Sequence, residues 1–218
     1  MSALDVLTGV PLERRIYLDL DDVLAETTVR IVTELNQRFD RSVRFADLSS
    51  FDLGQCFSFD ETQRKLAMEC VHEEPFLTSL AVRRGARPLL QRWTEAGYHL
   101  AVITGRPPDT RPISRSWLEQ RRVPHHSFHC VDKYGRYGES AGDLSLESLR
   151  ELPFVLAVED SFEMACFLAR HGTRRVLLLD RPWNREKIPT ELAAERRLVR
   201  ARGWTDVARL AAEAFDER

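Results

Sequence analysis

Short apolar runs ended by polar residues recur along the chain at Ile16–Leu20, Leu100–Thr104, Phe128–Val131, Phe154–Glu159 and Val176–Asp180. Runs of this kind suit strands buried on both faces, as in a parallel sheet. Between them, Pro88–Ala96, Ile113–Arg121, Leu146–Leu152 and Phe162–Arg170 carry apolar positions at helical spacing. Each later strand follows its predecessor by about 25–30 residues, the length of a βαβ unit. Gly97 and Gly172 fall where a helix ends in a left-handed cap. The alternation predicts an α/β fold with a doubly wound parallel sheet.

The first interval breaks this rhythm, because Asp21 to Leu100 is too long for a single crossover. Ala25–Phe39 reads as an amphipathic helix with Val29, Val32, Leu35 and Phe39 on one stripe. Phe45, Phe51, Phe57 and Phe59 follow, then a second helix near Glu61–His72, and Pro75 and Gly85 punctuate the return to the sheet. Residues 25–82 are therefore expected to form a small helical cap inserted after the first strand. The α/β core would comprise 1–24 and 83–218. Two last helices, Thr190–Ala201 and Trp204–Phe215, are expected to pack back on the sheet.

Composition narrows the classes of function. A chain of 218 residues can bury one sizeable core. Its net charge of −2 argues against holding a nucleic acid polymer by bulk electrostatics. No uncharged stretch approaches the roughly 20 residues of a membrane span, and the first residues lack a secretory layout. Cys56, Cys70, Cys130 and Cys166 form no CxxC pair, so neither a disulfide framework nor a structural zinc site of common spacing is expected. Scattered cysteines suit a reducing cytoplasm. The sequence carries no oligomer signal.

Ligands of open α/β sheets bind outside the carboxyl ends of the strands. Those ends read Asp19-Leu20-Asp21-Asp22, Thr104-Gly105-Arg106, Asp132-Lys133, Glu159-Asp160-Ser161 and Asp180-Arg181. Carboxylates, a hydroxyl and a lysine on one rim suit magnesium and phosphate. Lysine is scarce here, with Lys65, Lys133 and Lys187 the only three among 32 basic residues, which singles out Lys133. Asp19 could attack phosphorus as a carboxylate nucleophile. Asp21 could protonate the leaving oxygen and then activate water. Asp19 and Asp160 would satisfy Mg2+, which takes one or two carboxylates beside water and phosphate. Thr104, with nearby backbone N–H groups, could bind a phosphoryl oxygen, and Lys133 could neutralise charge on nucleophile and phosphate.

These residues resemble the haloacid dehalogenase (HAD) superfamily of phosphohydrolases. IYLDLDDVL is similar to its first motif, AVITGR to its second, Lys133 to its third and FVLAVEDS to its fourth. More narrowly, DLDDVLAET, LSSFDL, HEEPFL, VEDS and LLLDRPWNR resemble bacterial members of the 5'(3')-deoxyribonucleotidase group. The resemblance implies a HAD-like Rossmannoid core and hydrolysis of a nucleoside monophosphate, or a similar small phosphomonoester, through an aspartyl-phosphate with Mg2+. It assigns catalysis to Asp19, Asp21, Thr104 and Lys133, and phosphate binding to Thr104, Gly105, Arg106 and Lys133. Its metal ligands are Asp19, the Asp21 backbone carbonyl and Asp160, with Glu159 as a water-mediated or alternative ligand and Glu163 a weaker candidate. The chain departs from the family at Asp22, where glycine is common.

Blander readings stand beside these. Asp160 could cap the helix that follows, and Arg106 could equally lie on the surface. His129 and Cys130 alternate across a strand, so the His125–Cys130 cluster reads as packing rather than as a metal site. Phe51, Phe57 and Phe59 could stack on a base or fill the core of the insertion. Arg83-Arg84 and Arg174-Arg175 read as solvated faces. A phosphatase for a sugar phosphate or other metabolite, and a non-catalytic binding protein on the same fold, are the competing functions. Closure of the insertion over the site is expected from the need to exclude water.

Overall fold

The computed structural model describes residues 3–50, 52–137 and 144–216. It opens with α1 (Ala3–Thr8) and β1 (Arg15–Leu18), followed by α2 (Thr27–Phe39), α3 (Leu53–Cys56), α4 (Glu61–His72) and α5 (Glu74–Ser79). The alternating part runs α6 (Ala86–Glu95), β2 (His99–Thr104), α7 (Arg111–Gln120), β3 (Ser127–Cys130), α8 (Leu146–Arg150) and β4 (Leu156–Glu159). It ends with α9 (Phe162–Arg170), β5 (Arg175–Leu179), α10 (Thr190–Ala194), β6 (Leu198–Ala201) and α11 (Trp204–Asp216).

The six strands form one parallel sheet in the order β3-β2-β1-β4-β5-β6. Successive residues point to opposite faces, so a strand buried on both sides needs apolar residues throughout. Leu18 lies opposite Val102 and Val158, and Val158 opposite Leu177, all four in one core layer with residues of α6 and α11. Tyr17, Ala101, Ile103, Ala157, Val176 and Leu178 face the other layer, closed by α1, α8, α9 and α10. Helix α9 spans the predicted residues, with Ser161 accepting from Met164 N at 3.3 Å as its N-cap. Gly97 and Gly172 have φ of +81° and +86°, the left-handed conformation expected there.

The structure corrects three expectations. Thr190–Ala201 is not one helix. Arg196 turns left-handed at φ +52° and Leu198–Ala201 forms β6. The reason lies in β5, whose outer edge requires partners. Val176 N donates to Arg197 O at 2.7 Å and Asp180 N to Ala201 O at 2.9 Å, bonds that a helix could not accept. On α2 the buried residues are Thr27, Ile31, Val32 and Leu35, while Val29 is 42% exposed. Pro75 opens α5 rather than marking a loop, at a position where its missing N–H costs nothing.

The segment between β1 and α6 leaves and re-enters the sheet region at one place. Ala25 lies antiparallel to Val82, with Glu26 N donating to Ala81 O at 2.9 Å and Arg83 N to Leu24 O at 2.8 Å. Its apolar side chains are continuous with the core layer under β1.

Leu156 is fully buried at the centre of the sheet. Leu156→Ala is expected to cost about 2–5 kcal/mol in urea unfolding with an unchanged m-value. A cost below about 1 kcal/mol would place β4 outside the core.

Candidate active site

The strand order reverses at β1, which runs on one side to β2 and on the other to β4, so the ligand crevice of this sheet lies at their carboxyl ends. Asp19 is the first residue past β1, and its N–H donates to Val158 O at 3.0 Å, which fixes it against β4. Glu159 ends β4 and Asp160 follows it. Each of the three offers a carboxylate oxygen within 4.8 Å of the others, and all are buried.

Lys133 arrives from the loop after β3. Its Nζ lies 2.5 Å from Asp19 Oδ1 and 2.8 Å from Glu159 Oε1, and 5.3 Å from the Tyr17 ring centroid. That loop is tied by Asp132, whose carboxylate accepts from Arg136 N and Tyr137 N, both at 2.8 Å. A Cβ on Gly105 would meet Lys133 Cδ at 3.3 Å, so a residue without a side chain lets the lysine pass. Glu159 is spoken for on both oxygens. Oε1 also accepts from Tyr17 OH at 3.0 Å, and Oε2 accepts from Asp160 N at 2.8 Å and Ser161 N at 2.9 Å.

Three buried carboxylates thus face one buried ammonium. Burial pushes the Asp19 carboxyl up to about 8, with the charges of Glu159 and Asp21 adding to the effect against the pull of Lys133. Burial likewise drives Asp160 well above the carboxylate range, reinforced by Glu159 and Asp19. Burial would lower the Lys133 ammonium, but Asp19 and Glu159 overcome it and hold the lysine protonated. The donor set is all oxygen and two positive charges short, which fits a hard divalent cation and no soft one.

Asp21 and Asp22, beside this cluster, pair instead with arginines. Arg106 clamps Asp21 with Nη2 at 2.6 Å from Oδ1 and Nε at 2.9 Å from Oδ2, and Thr27 Oγ1 donates at 2.5 Å. Burial would raise the Asp21 carboxyl, yet the Arg106 charge and these hydrogen bonds hold it below its ordinary range. Arg106 is itself buried, with Nη1 on Ser114 Oγ at 3.0 Å and its backbone N on Thr104 Oγ1 at 3.2 Å. The sequence left Arg106 divided between phosphate and surface. It is no surface residue but is buried and grips the second aspartate. Thr104 is fully buried beneath that turn.

Asp22 has φ of +55°, the conformation that glycine adopts freely. Its side chain compensates by accepting from Arg83 Nη2 at 2.7 Å and from Thr28 N at 3.0 Å and Thr28 Oγ1, and its carbonyl accepts from Arg181. Burial raises its carboxyl, with Arg83 opposing.

Above these residues opens a cleft of about 560 Å³, floored by Asp19, Asp21, Asp160 and Lys133 and walled by Ile31, Phe59, Met68 and Trp183 among others. The family model described as "5' nucleotidase, deoxy (Pyrimidine), cytosolic type C protein" matches residues 14–132, more than half of the chain. The chain belongs to this family. Within the HAD superfamily of phosphohydrolases it is a phosphatase of nucleotidase type.

Two curated relatives of this nucleotidase, each named "Putative nucleotidase", come from Halalkalibacterium halodurans and Oceanobacillus iheyensis. The first is 23% identical over 89% of this chain and 93% of its own length. The second is 27% identical over 78% and 88%. Among solved structures, the fold is shared with a crystal structure titled as a predicted phosphatase from Clostridium acetobutylicum, at TM-score 0.61 and 15% identity over 93% of this chain and all of the other. A HAD family hydrolase from Deinococcus radiodurans R1, solved with phosphate and sodium, gives TM-score 0.59 and 16% identity, covering 92% and 96%. Among the described residues no helix is long and apolar enough to cross a membrane.

The nucleotidase's remaining candidates fall outside the cluster. Glu163 is exposed on α9, and Asp180 is exposed with its carboxylate 3.5 Å from Arg200. Phe57 is buried and stacks on Phe59 at 5.2 Å, Phe59 alone of that pair reaches the cleft, and Phe51 lies outside the described residues. His129 and Cys130 are buried, and the one group of potential metal ligands among the described residues is the acidic one. Arg83 and Arg175 are not solvated faces, since Arg83 pairs with Asp22 and Arg175 is buried. Their neighbours Arg84 and Arg174 are exposed and half-buried.

Residues that the sequence offered no role come from the loop after β5. Trp183 Nε1 donates to Asp160 Oδ2 at 3.0 Å, and Asn184 Nδ2 to Asp160 O at 2.6 Å and Leu179 O at 2.8 Å. The only available signal was the RPWN piece of the family resemblance.

Asp22→Ala is expected to cost about 1–3 kcal/mol, because it leaves the half-buried Arg83 without its carboxylate and keeps the left-handed backbone. Asp22→Gly is expected to cost about 1 kcal/mol less, since only the strain is relieved. Urea unfolding of both variants checks the order, and an alanine variant no worse than the glycine one would contradict it.

Proposed function

We propose that this nucleotidase is a magnesium-dependent phosphomonoester hydrolase that transfers the phosphoryl group to Asp19 and then to water. The observation that carries the proposal is the buried charge deficit of Asp19, Glu159 and Asp160 against Lys133. Asp19, Asp160 and the Asp21 backbone carbonyl would hold Mg2+, with Glu159 anchoring Lys133 from behind. The bound ion would neutralise the clustered carboxylates and the phosphate that approaches them.

The Asp19 oxygen attacks phosphorus while the bond from phosphorus to the leaving alkoxide breaks, and Asp21 delivers a proton to that oxygen. Asp21 then takes a proton from water, whose oxygen displaces Asp19 from phosphorus. The Arg106 clamp favours the ionised Asp21 required for this second half. A phosphate that drew on the guanidinium would free Asp21 to carry a proton in the first half. Lys133 offsets charge on Asp19 and on the transferring group. Thr104 and Gly105 shape the turn beside the phosphate.

Residues 25–82 act as a cap in this reading, supported by their single point of exit and return at Ala25 and Val82. A nucleoside monophosphate is the substrate we favour, supported by the family description and by a cleft that joins an acidic floor to apolar walls and Phe59. Four free thiols accord with a cytoplasmic setting.

Phosphate release from nucleoside 5'- and 3'-monophosphates and sugar phosphates, with and without Mg2+, tests this directly. Turnover is expected to require Mg2+, to concentrate on nucleotides and to fall at least about 10⁴-fold in Asp19→Asn. Turnover on sugar phosphates alone would keep the chemistry and reject the nucleotide. Unchanged turnover in Asp19→Asn would reject the nucleophile.

A pH prediction follows from Asp19. Its raised carboxyl keeps in the folded state a proton that the unfolded chain releases near pH 4, so the associated stability is lost as pH rises toward about 8. A cation competes with that proton, so its stabilisation grows over the same range. The rise in Tm on adding Mg2+ is expected to be larger at about pH 8.5 than at about pH 6. Equal rises would contradict it.

A further inference from the structure

Trp183 touches both Asp160 and the β1–α6 segment. Trp183 is buried, and its Nε1 occupies Asp160 Oδ2 at 3.0 Å. Asn184 holds the Asp160 backbone at the same time, so the carboxylate can turn neither about its chain nor about its side-chain bonds without breaking a hydrogen bond. One oxygen is thereby engaged in a carboxylate that belongs to the cluster with Asp19 and Glu159. The far side of the same indole receives Phe45, edge on, with centroids 5.5 Å apart and planes at 75°. Phe45 belongs to the segment between β1 and α6. Three residues on, Leu48 is buried and lines the cleft together with Trp183.

We propose that Trp183 is a positioning residue for cation binding, orienting Asp160 through its indole N–H and linking that orientation to the seating of the β1–α6 segment through Phe45. This rests on the magnesium reading above. Partners that orient a metal ligand from behind commonly change affinity by about 10–100-fold when removed. The arrangement makes Asp160 presentation depend on where the segment lies. A cation and a well-seated segment therefore favour one another, with equal reciprocal effect.

The test is Mg2+ affinity, read by calorimetry and by tryptophan emission on the intact protein. Trp183→Phe keeps a ring against Phe45 and removes only the N–H donor. Phe45→Ala keeps the donor and removes the edge contact. Trp117→Phe is the reference, since Trp117 Nε1 donates to Leu80 O away from the acidic cluster. Mg2+ is expected to perturb emission in the wild type and in Trp117→Phe. The perturbation should be largely lost in Trp183→Phe, with affinity weaker by about 10–100-fold. Phe45→Ala is expected to weaken affinity about two- to tenfold, the range that an edge-to-face contact can transmit. Wild-type affinity in a folded Trp183→Phe or Phe45→Ala protein would overturn the inference alone. A wild type that takes up no Mg2+ would remove the magnesium reading and this inference with it.

Discussion

Burying like charges side by side is the most demanding thing this fold does. Asp19, Glu159 and Asp160 lie at the carboxyl end of the β1–β4 crevice, with Lys133 as the direct partner of Asp19 and Glu159. An unpaired buried charge is costly, so such a cluster persists only where surrounding groups hold it in place. Much of the neighbouring structure meets that need. Glu159 accepts from a lysine, a tyrosine and two backbone N–H groups, and Asp160 is gripped by Trp183 and Asn184. The parallel sheet supplies the rigidity, since its strand ends bring residues far apart in sequence to one rim.

A second tier of pairing surrounds the first and is built from arginine. Arg106 holds Asp21, Arg83 holds Asp22, and Arg181 donates to the Asp22 carbonyl at the bend of the chain. These contacts join the loop after β1 to the second strand's helix through Ser114, to the re-entry point at residue 83 and to the loop after β5. The site is therefore tied to the β1–α6 segment at Arg83 and, through Phe45, at Trp183.

Much of this was legible from the chain. Apolar runs ended by polar residues identified five strands and their carboxyl ends, because burial on both faces leaves little choice of residue. Periodicity located α9 and α4 for the same reason. It failed at Leu198–Ala201, where four residues show too short a pattern and the demand of an open strand edge decides the outcome. Arginines misled it most. Arg83, Arg106 and Arg175 look like surface residues in a chain rich in that type, and only the fold reveals the pairing of Arg83 and Arg106 and the burial of Arg106 and Arg175. Trp183 and Asn184 were equally silent, since a side chain that orients another residue carries no spacing rule. Asp22, which departs from a family glycine, is explained by a left-handed backbone held through its own carboxylate.

The central claim is that the carboxylate cluster is a divalent cation site. A crystal structure of the protein soaked in Mn2+, with anomalous data collected at the manganese edge, would examine it most directly. The account predicts one strong anomalous peak in contact with Asp19, Asp160 and the Asp21 carbonyl, with Trp183 still bonded to Asp160. A peak bound elsewhere, with Lys133 alone among the three carboxylates, would contradict it.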